Sequence, residues 1–172
     1  NFMKPLTHYF GSSIILVFFV IFGCSKQNSD ALTARKIAFN ADWNFHLNDS
    51  ITDNDTIGSN TKWRTLNVPH DWSIEGKFDK KSPTGVGGGA LAGGLGWYKK
   101  IFKIAVADSS KITSIIFDGV YCNSEVWING HFLGKRPNGY IGFQYNMTPY
   151  LKYGDQTNEL IVKVDNNQQP NS

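Results

Sequence analysis

The stretch Val68-Pro69-His70-Asp71-Trp72-Ser73-Ile74-Glu75-Gly76 gathers an imidazole, two carboxyls and an indole into one short run. Such groups can exchange protons, accept hydrogen bonds from hydroxyls, or present a flat apolar face. Acid–base catalysis needs its acid and its base aimed at one bond. Neighbours on an extended chain point to opposite sides, so His70 and Asp71 do not readily share a proton target. Trp72-Ser73-Ile74 also makes a poor frame for setting Asp71 and Glu75 across a single bond. A plainer reading is available: Asp71 caps a turn, with His70 and Trp72 packed inside.

Thr84 to Gly96, TGVGGGALAGGLG, formally contains a phosphate-binding pattern, G-x-G-x-x-A, at Gly85 to Ala90. That pattern needs a strand before it and a helix after it. Lys80-Lys81-Ser82-Pro83 is not a strand, and Gly93-Gly94 would spoil the helix. A long mobile loop is expected instead. The four histidines, His8, His46, His70 and His131, show no ligand spacing. No metal site and no cofactor is expected from these residues. Lys135-Arg136-Pro137-Asn138-Gly139 reads as a solvated turn.

These groups must be carried by strands. Hydrophobic periodicity near 3.6 residues is absent, while short alternating or apolar runs recur between turn signals. Strands are expected at 42–47, 63–68 (stopped by Pro69), 96–105, 112–118, 140–145 and 160–165. Ser124 to Gly134, SEVWINGHFLG, carries Asn129-Gly130 between two such runs. Both residues tolerate the positive φ of a type I′ turn, so a hairpin is predicted there. About eight strands at this spacing indicate an all-β, antiparallel two-sheet sandwich of jelly-roll type. Trp43, Phe45, Trp97, Phe102, Phe117 and Trp127 are expected to fill the layer between the sheets.

The chain has 172 residues, a formal net charge of +3 and 14% aromatic residues. Its lysines and arginines are dispersed, so no basic stripe points to nucleic acid. The start is different. Lys4 and His8 precede an apolar run, Ile14 to Phe22, and then Gly23-Cys24. A basic start, a short apolar run and a small residue before cysteine resemble a lipoprotein signal, 1–24, with Cys24 acylated. Residues 25–35 are then a flexible tether. The expected location is outside the inner membrane, in the periplasm or on the outer membrane. Cys122 would have no disulfide partner and is expected to be a buried, inert thiol.

The segments FNADWNFHL, VPHDWSIEG, GWYKKIFKI, FDGVYCNSEVWINGHFLGKRPNGYIGFQYNMTPYL and VDNNQQPNS resemble, in this order, the N-terminal domain of glycoside hydrolase family 2. The similarity runs from about Phe39 onward, and within the family it is to Bacteroides-type exported β-galactosidase-like enzymes. The resemblance implies a galactose-binding-like jelly roll over 36–172, followed by an immunoglobulin-like domain and a barrel. It also implies a carbohydrate substrate, with galactose the leading sugar. Both catalytic carboxylates belong to the family's barrel, and no residue here matches either motif. Any magnesium or sodium would also belong to the barrel. The family continues beyond VDNNQQPNS with another strand, so a C-terminally truncated domain with one unpaired sheet edge is expected. By the resemblance, Asp71 would accept hydrogen bonds from sugar hydroxyls, with His70 and Trp72 beside it in the subsite. The alternative is a stand-alone carbohydrate-binding lipoprotein without catalysis, because sandwiches host both functions.

Overall fold

The computed structural model describes residues 35–48, 62–82 and 89–167. Cys24, the apolar run before it and residues 83–88 of the glycine-rich loop lie outside the described residues. Eight strands are present: β1 (Trp43–Asn48), β2 (Arg64–Leu66), β3 (Leu95–Phe102), β4 (Ser114–Phe117), β5 (Ser124–Ile128), β6 (His131–Arg136), β7 (Phe143–Asn146) and β8 (Asn158–Asp165). Three short 3-10 turns, Ser73–Glu75, Val106–Asp108 and Thr148–Tyr150, complete the list, with no α-helix among the described residues.

The strands form two antiparallel sheets, one of six strands in the order β2-β1-β3-β8-β5-β6 and one of two, β4-β7. The period-2 alternation of β5 and β8 sets the inner face. Ser124, Val126 and Ile128 on β5, and Asn158, Leu160, Val162 and Val164 on β8, are all buried. Each fully buried aliphatic side chain on this face contributes about 1.5–3 kcal/mol. Phe45, Tyr98, Ile115 and Phe143 join the same core, and Phe117 stacks on Phe143 at 4.9 Å.

The β5–β6 hairpin turns at Asn129 and Gly130, with φ of 49° and 82°. Positive φ at both positions matches the right-handed twist of the flanking strands. Asn129 does a second job. Its Oδ1 accepts from the Glu159 N–H (2.9 Å), and its Nδ2 donates to Tyr150 O (2.7 Å) and Asn158 Oδ1 (2.8 Å). Asn158, fully buried, also accepts from the Lys152 N–H and donates to Lys152 O, both at 2.8 Å. Its burial is tolerated because its amide oxygen and nitrogen both have partners.

Two of the six aromatics expected between the sheets are not there. Tyr98, not Trp97, belongs to the core, and so do Val126 and Ile128 on either side of Trp127. Trp97 and Trp127 therefore lie on the opposite face of the large sheet, stacked on each other at 6.1 Å. Lys163 on β8 sits over the Trp97 ring at 5.5 Å. β3 also ends at Phe102, before the turn at Val106–Asp108. Cys122 is half-buried rather than enclosed; its thiol donates to Asp165 O at 3.1 Å. Burial, followed by the negative charge of Asp165, pushes that thiol above its ordinary pKa.

Candidate functional site

The loop from Asn67 to Gly76 joins β2 to the chain that leads back toward β3. It is tied at its start by the Val68 N–H donating to Asn40 O (2.8 Å), and the Val68–Pro69 peptide bond is cis. His70 then turns inward. Its ring packs edge-on against Phe45 at 4.7 Å, and its Nδ1 lies 2.7 Å from the Tyr98 hydroxyl. Its Nε2 lies 3.1 Å from Glu75 Oε1. Nε2 also lies 3.1 Å from Arg64 Nη2, which can only donate, so a proton on Nε2 serves Glu75 and lets Nδ1 accept from Tyr98, whereas a proton on Nδ1 serves the Tyr98 oxygen and lets Nε2 accept from Arg64.

Trp72 also turns inward. It is 6% exposed and stacks on Phe45 at 5.8 Å. Gly96 makes this possible: a Cβ there would stand 2.8 and 2.9 Å from Trp72 Cζ3 and Cη2 and 3.1 Å from Phe45 Cε2. The indole N–H is buried and has no hydrogen-bond partner among the described residues.

Between these two inward anchors Asp71 faces out. Its Oδ1 accepts from the Ser73 N–H at 2.9 Å, an Asx turn that opens the 3-10 turn at Ser73–Glu75. Ser73 is itself buried, and its Oγ accepts from Asn166 Nδ2 at 2.8 Å, tying the loop to the end of β8. The second oxygen of Asp71 has no protein partner among the described residues. Burial first, and then the negative charge of Asp71, pushes the Tyr98 phenol well above its ordinary pKa, so this hydroxyl stays protonated.

Glu75 is otherwise occupied. Arg64 donates to its Oε2, and that hydrogen bond, opposed by desolvation and reinforced by the contact with His70, holds its carboxyl below the usual carboxylate range. A carboxyl kept ionised by two donors is unsuited to donate a proton, so Asp71 and Glu75 are not an acid–base dyad. The Arg64 guanidinium also rests over the Phe45 ring at 5.0 Å. The structure thus brings together His70, Trp72, Glu75, Arg64 and Tyr98, and displays Asp71 beside them.

Arg64 and Tyr98 had no signal in the sequence. Tyr98 is 28 residues from His70, and only the β1–β3 pairing Phe45↔Tyr98 brings it under the loop. His131 stands apart from this group, stacked on Tyr150 at 4.4 Å. Asp71 lies at one wall of a cleft of about 1360 Å³, whose lining includes His70, Tyr98, Ile116, Val162 and Asn166. Among the described residues no group of three or more His, Cys, Asp or Glu side chains could hold a metal.

Comparison with known proteins gives a consistent picture. Residues 36–172 match the family model described as "Glycosyl hydrolases family 2, sugar binding domain". The chain is 52% identical over 150 residues to the Beta-galactosidase BoGH2A of Bacteroides ovatus, covering 87% of this chain and 18% of that protein. It is 34% identical over 129 residues to a Beta-glucuronidase of Formosa agariphila, covering 74% and 13%. The crystal structure of a beta-glycosidase from Bacteroides vulgatus superposes with a TM-score of 0.68 at 49% identity, covering 76% of this chain and 17% of that one. The chain thus spans less than a fifth of the length of each of these relatives.

Proposed function

Because the chain belongs to glycoside hydrolase family 2, where it matches the sugar-binding domain, we propose that it is the substrate-shaping module of a larger enzyme that hydrolyses terminal β-glycosidic bonds. The relatives carry the names β-galactosidase and putative β-glucuronidase at nearly equal identity, 52% and 50%, so β-galactosides and β-glucuronides are both candidate substrates and a β-galactoside is the first to test. In this reading the two catalytic carboxylates, and any metal, come from a barrel domain beyond an immunoglobulin-like domain.

One observation carries the reading: Asp71 is presented outward between two inward-packed neighbours, with one carboxylate oxygen committed to Ser73 and the other uncommitted among the described residues. A carboxylate held this way accepts hydrogen bonds from sugar hydroxyls without rearranging the loop, which is how a preformed subsite orients its ligand. His70 and Trp72 act from behind it, as supports of the loop.

The test grafts residues 36–167 onto the remainder of the B. ovatus enzyme and measures hydrolysis of an aryl β-galactoside. Asp71→Ala should lower kcat/KM by about 10–100-fold, the loss of one or two hydrogen bonds to a charged acceptor. Unchanged kinetics in that variant would remove Asp71 from the subsite. Sugar binding by the purified 172-residue chain alone, with the same constant as the graft, would favour a stand-alone binding protein instead.

We also infer that the protein is exported and lipid-anchored, on the support of the basic start, short apolar run and Gly23-Cys24. Labelled palmitate should enter the chain expressed in a Gram-negative host, and Cys24→Ala should abolish the label. Persistence of label in that variant would overturn the anchor.

A further inference from the structure

The chain holds two Asn-Gly pairs, Asn129-Gly130 and Asn138-Gly139. Each sets a side-chain amide next to a backbone nitrogen that no Cβ crowds. One reaction then needs no other protein group: the glycine nitrogen attacks the asparagine Cγ. The fold holds the two pairs in opposite ways.

At the hairpin both polar atoms of the Asn129 side chain are engaged. Its Oδ1 accepts from the Glu159 N–H, and its Nδ2 donates to Tyr150 O and Asn158 Oδ1. Its Cγ cannot turn onto the Gly130 nitrogen without breaking these bonds, and Asn158 is fully buried. Asn138 lies exposed in the link between β6 and β7. Its Nδ2 has no partner among the described residues, and neither has the Gly139 N–H. Its Oδ1 accepts one bond, from the Tyr140 N–H at 2.8 Å, which closes an Asx turn around Gly139. That bond folds the side chain back over the Gly139 peptide. It is also aimed at the oxygen on which negative charge grows as the nitrogen adds to Cγ. A fixed N–H about 2.7–3.1 Å from such an oxygen stabilises that charge.

We propose that Asn138 is a site of self-modification, deamidating through a succinimide in the folded chain while Asn129 is spared. The Gly139 nitrogen gives its proton to hydroxide and bonds to Cγ. The Cγ–Nδ2 bond breaks, and the nitrogen takes a proton from water and leaves as ammonia. One water then opens the ring, at one carbonyl to give aspartate and at the other to give isoaspartate. Either product places a carboxylate, in exchange for a neutral amide, two residues beyond Arg136. Isoaspartate also adds a carbon to the backbone beside Gly139. That glycine has no room to shift, since a Cβ on it would stand 2.4 Å from Tyr121 Cδ2 and 2.8 Å from Tyr121 Cα. The link should therefore loosen, and with it the bond from the Asn123 N–H to Pro137 O at 3.3 Å. The proposal does not depend on the glycosidase reading, since it uses neither Asp71 nor a ligand.

The test incubates the purified 172-residue chain at pH 8.5, folded or in concentrated urea, and follows both pairs by peptide mapping and isoaspartyl methylation. In urea the two pairs should react at similar rates. Folding should slow Asn129 at least tenfold and Asn138 less than threefold. Tyr140→Pro removes the donor to Oδ1 and should slow Asn138 at least threefold while Asn129 stays slow. A fast Asn129 in that variant would mean that it has not folded, and the comparison of folded with unfolded parent then decides alone. The isoaspartyl form, separated by ion exchange, should exchange its Asn123 amide at least tenfold faster than the parent. Equal rates at the two pairs in the folded parent, or tenfold slowing of Asn138 on folding, would overturn the proposal. An Asn138 rate that Tyr140→Pro leaves unchanged in a folded variant would overturn the role of the Asx turn.

Discussion

Replacing Gly96 by alanine should unseat Trp72. The new methyl would stand 2.8 and 2.9 Å from two indole carbons and 3.1 Å from a Phe45 ring carbon, all closer than ordinary carbon contact at about 3.5–4.0 Å. None of these atoms belongs to a side chain that can swing away. The indole and Phe45 rings are stacked and buried, and Phe45 carries His70 on its other neighbours. Overpacking of this kind costs about 1–3 kcal/mol. Against it, exchanging a strand-interior glycine for alanine recovers about 0.5–1 kcal/mol. The net expectation is a loss of about 1–2 kcal/mol, which moves a urea midpoint down by roughly 0.5–1 M. Near-ultraviolet circular dichroism should change with it, since a stacked indole moves. A double-mutant cycle isolates the cause. In a Trp72→Phe background, where the ring is shorter, Gly96→Ala should cost at least about 1 kcal/mol less. If the single variant is as stable as the parent, or the two changes add without coupling, Trp72 does not rest on Gly96 and the account of how Asp71 is held fails.

Other expectations follow from the same network and from the hairpin. Glu75 has a folded pKa below its ordinary 4.5, so its contribution to stability is complete above that value and is lost as pH falls through the folded pKa. Glu75→Gln should therefore be less stable than the parent at pH 7, with the gap closing in strong acid; because the side chain is 45% exposed, added salt should shrink the gap as well. Urea midpoints between pH 7 and pH 3 check this, and a gap that widens on acidification would refute it. Asn158→Leu keeps the volume but removes three hydrogen bonds, to Asn129 and to both backbone groups of Lys152, for a loss of about 3 kcal/mol. A loss under about 1 kcal/mol in the same assay would show that this buried amide is not what joins the hairpin to β8.

Much of the scaffold was legible because its signals are local. Asn129-Gly130 needs no distant partner to declare a turn, and the apolar run at 160–165 declares a strand, although Ile161 blurs which face is buried until the structure shows it. The failures were failures of face. Trp97 and Tyr98 are adjacent, both aromatic and both buried, so alternation says they part company without saying which one goes inward. What decides it is the neighbouring strand: Tyr98 pairs with Phe45 and Val162, which are core, while Trp97 pairs with His46 and Lys163, which are not. The candidate site had the same character. His70, Asp71 and Trp72 could be picked out by type, but Arg64 and Tyr98 reach them through pairing between strands, which no spacing along the chain encodes.

The manner in which Asp71 is held bears on what a loop must supply to be a binding element. An exposed carboxylate on a mobile loop loses conformational entropy when it engages a ligand, and that loss subtracts from affinity. Here the residue before it is clamped by Tyr98 and Glu75, the residue after it is stacked on Phe45, and its own carboxylate is bonded to Ser73. Ser73 in turn is bonded to Asn166 at the end of β8. The ordering cost is thus met by burial of the neighbours during folding rather than by the ligand. The consequence is directional: loosening the floor through Trp72 should weaken ligand binding without touching the carboxylate, whereas Asp71→Asn should leave the floor and the stability in place and alter only the hydrogen bonds offered to the ligand. Those two signatures separate a displayed subsite residue from a turn cap that happens to be acidic, because a mere cap would show its effect in stability alone.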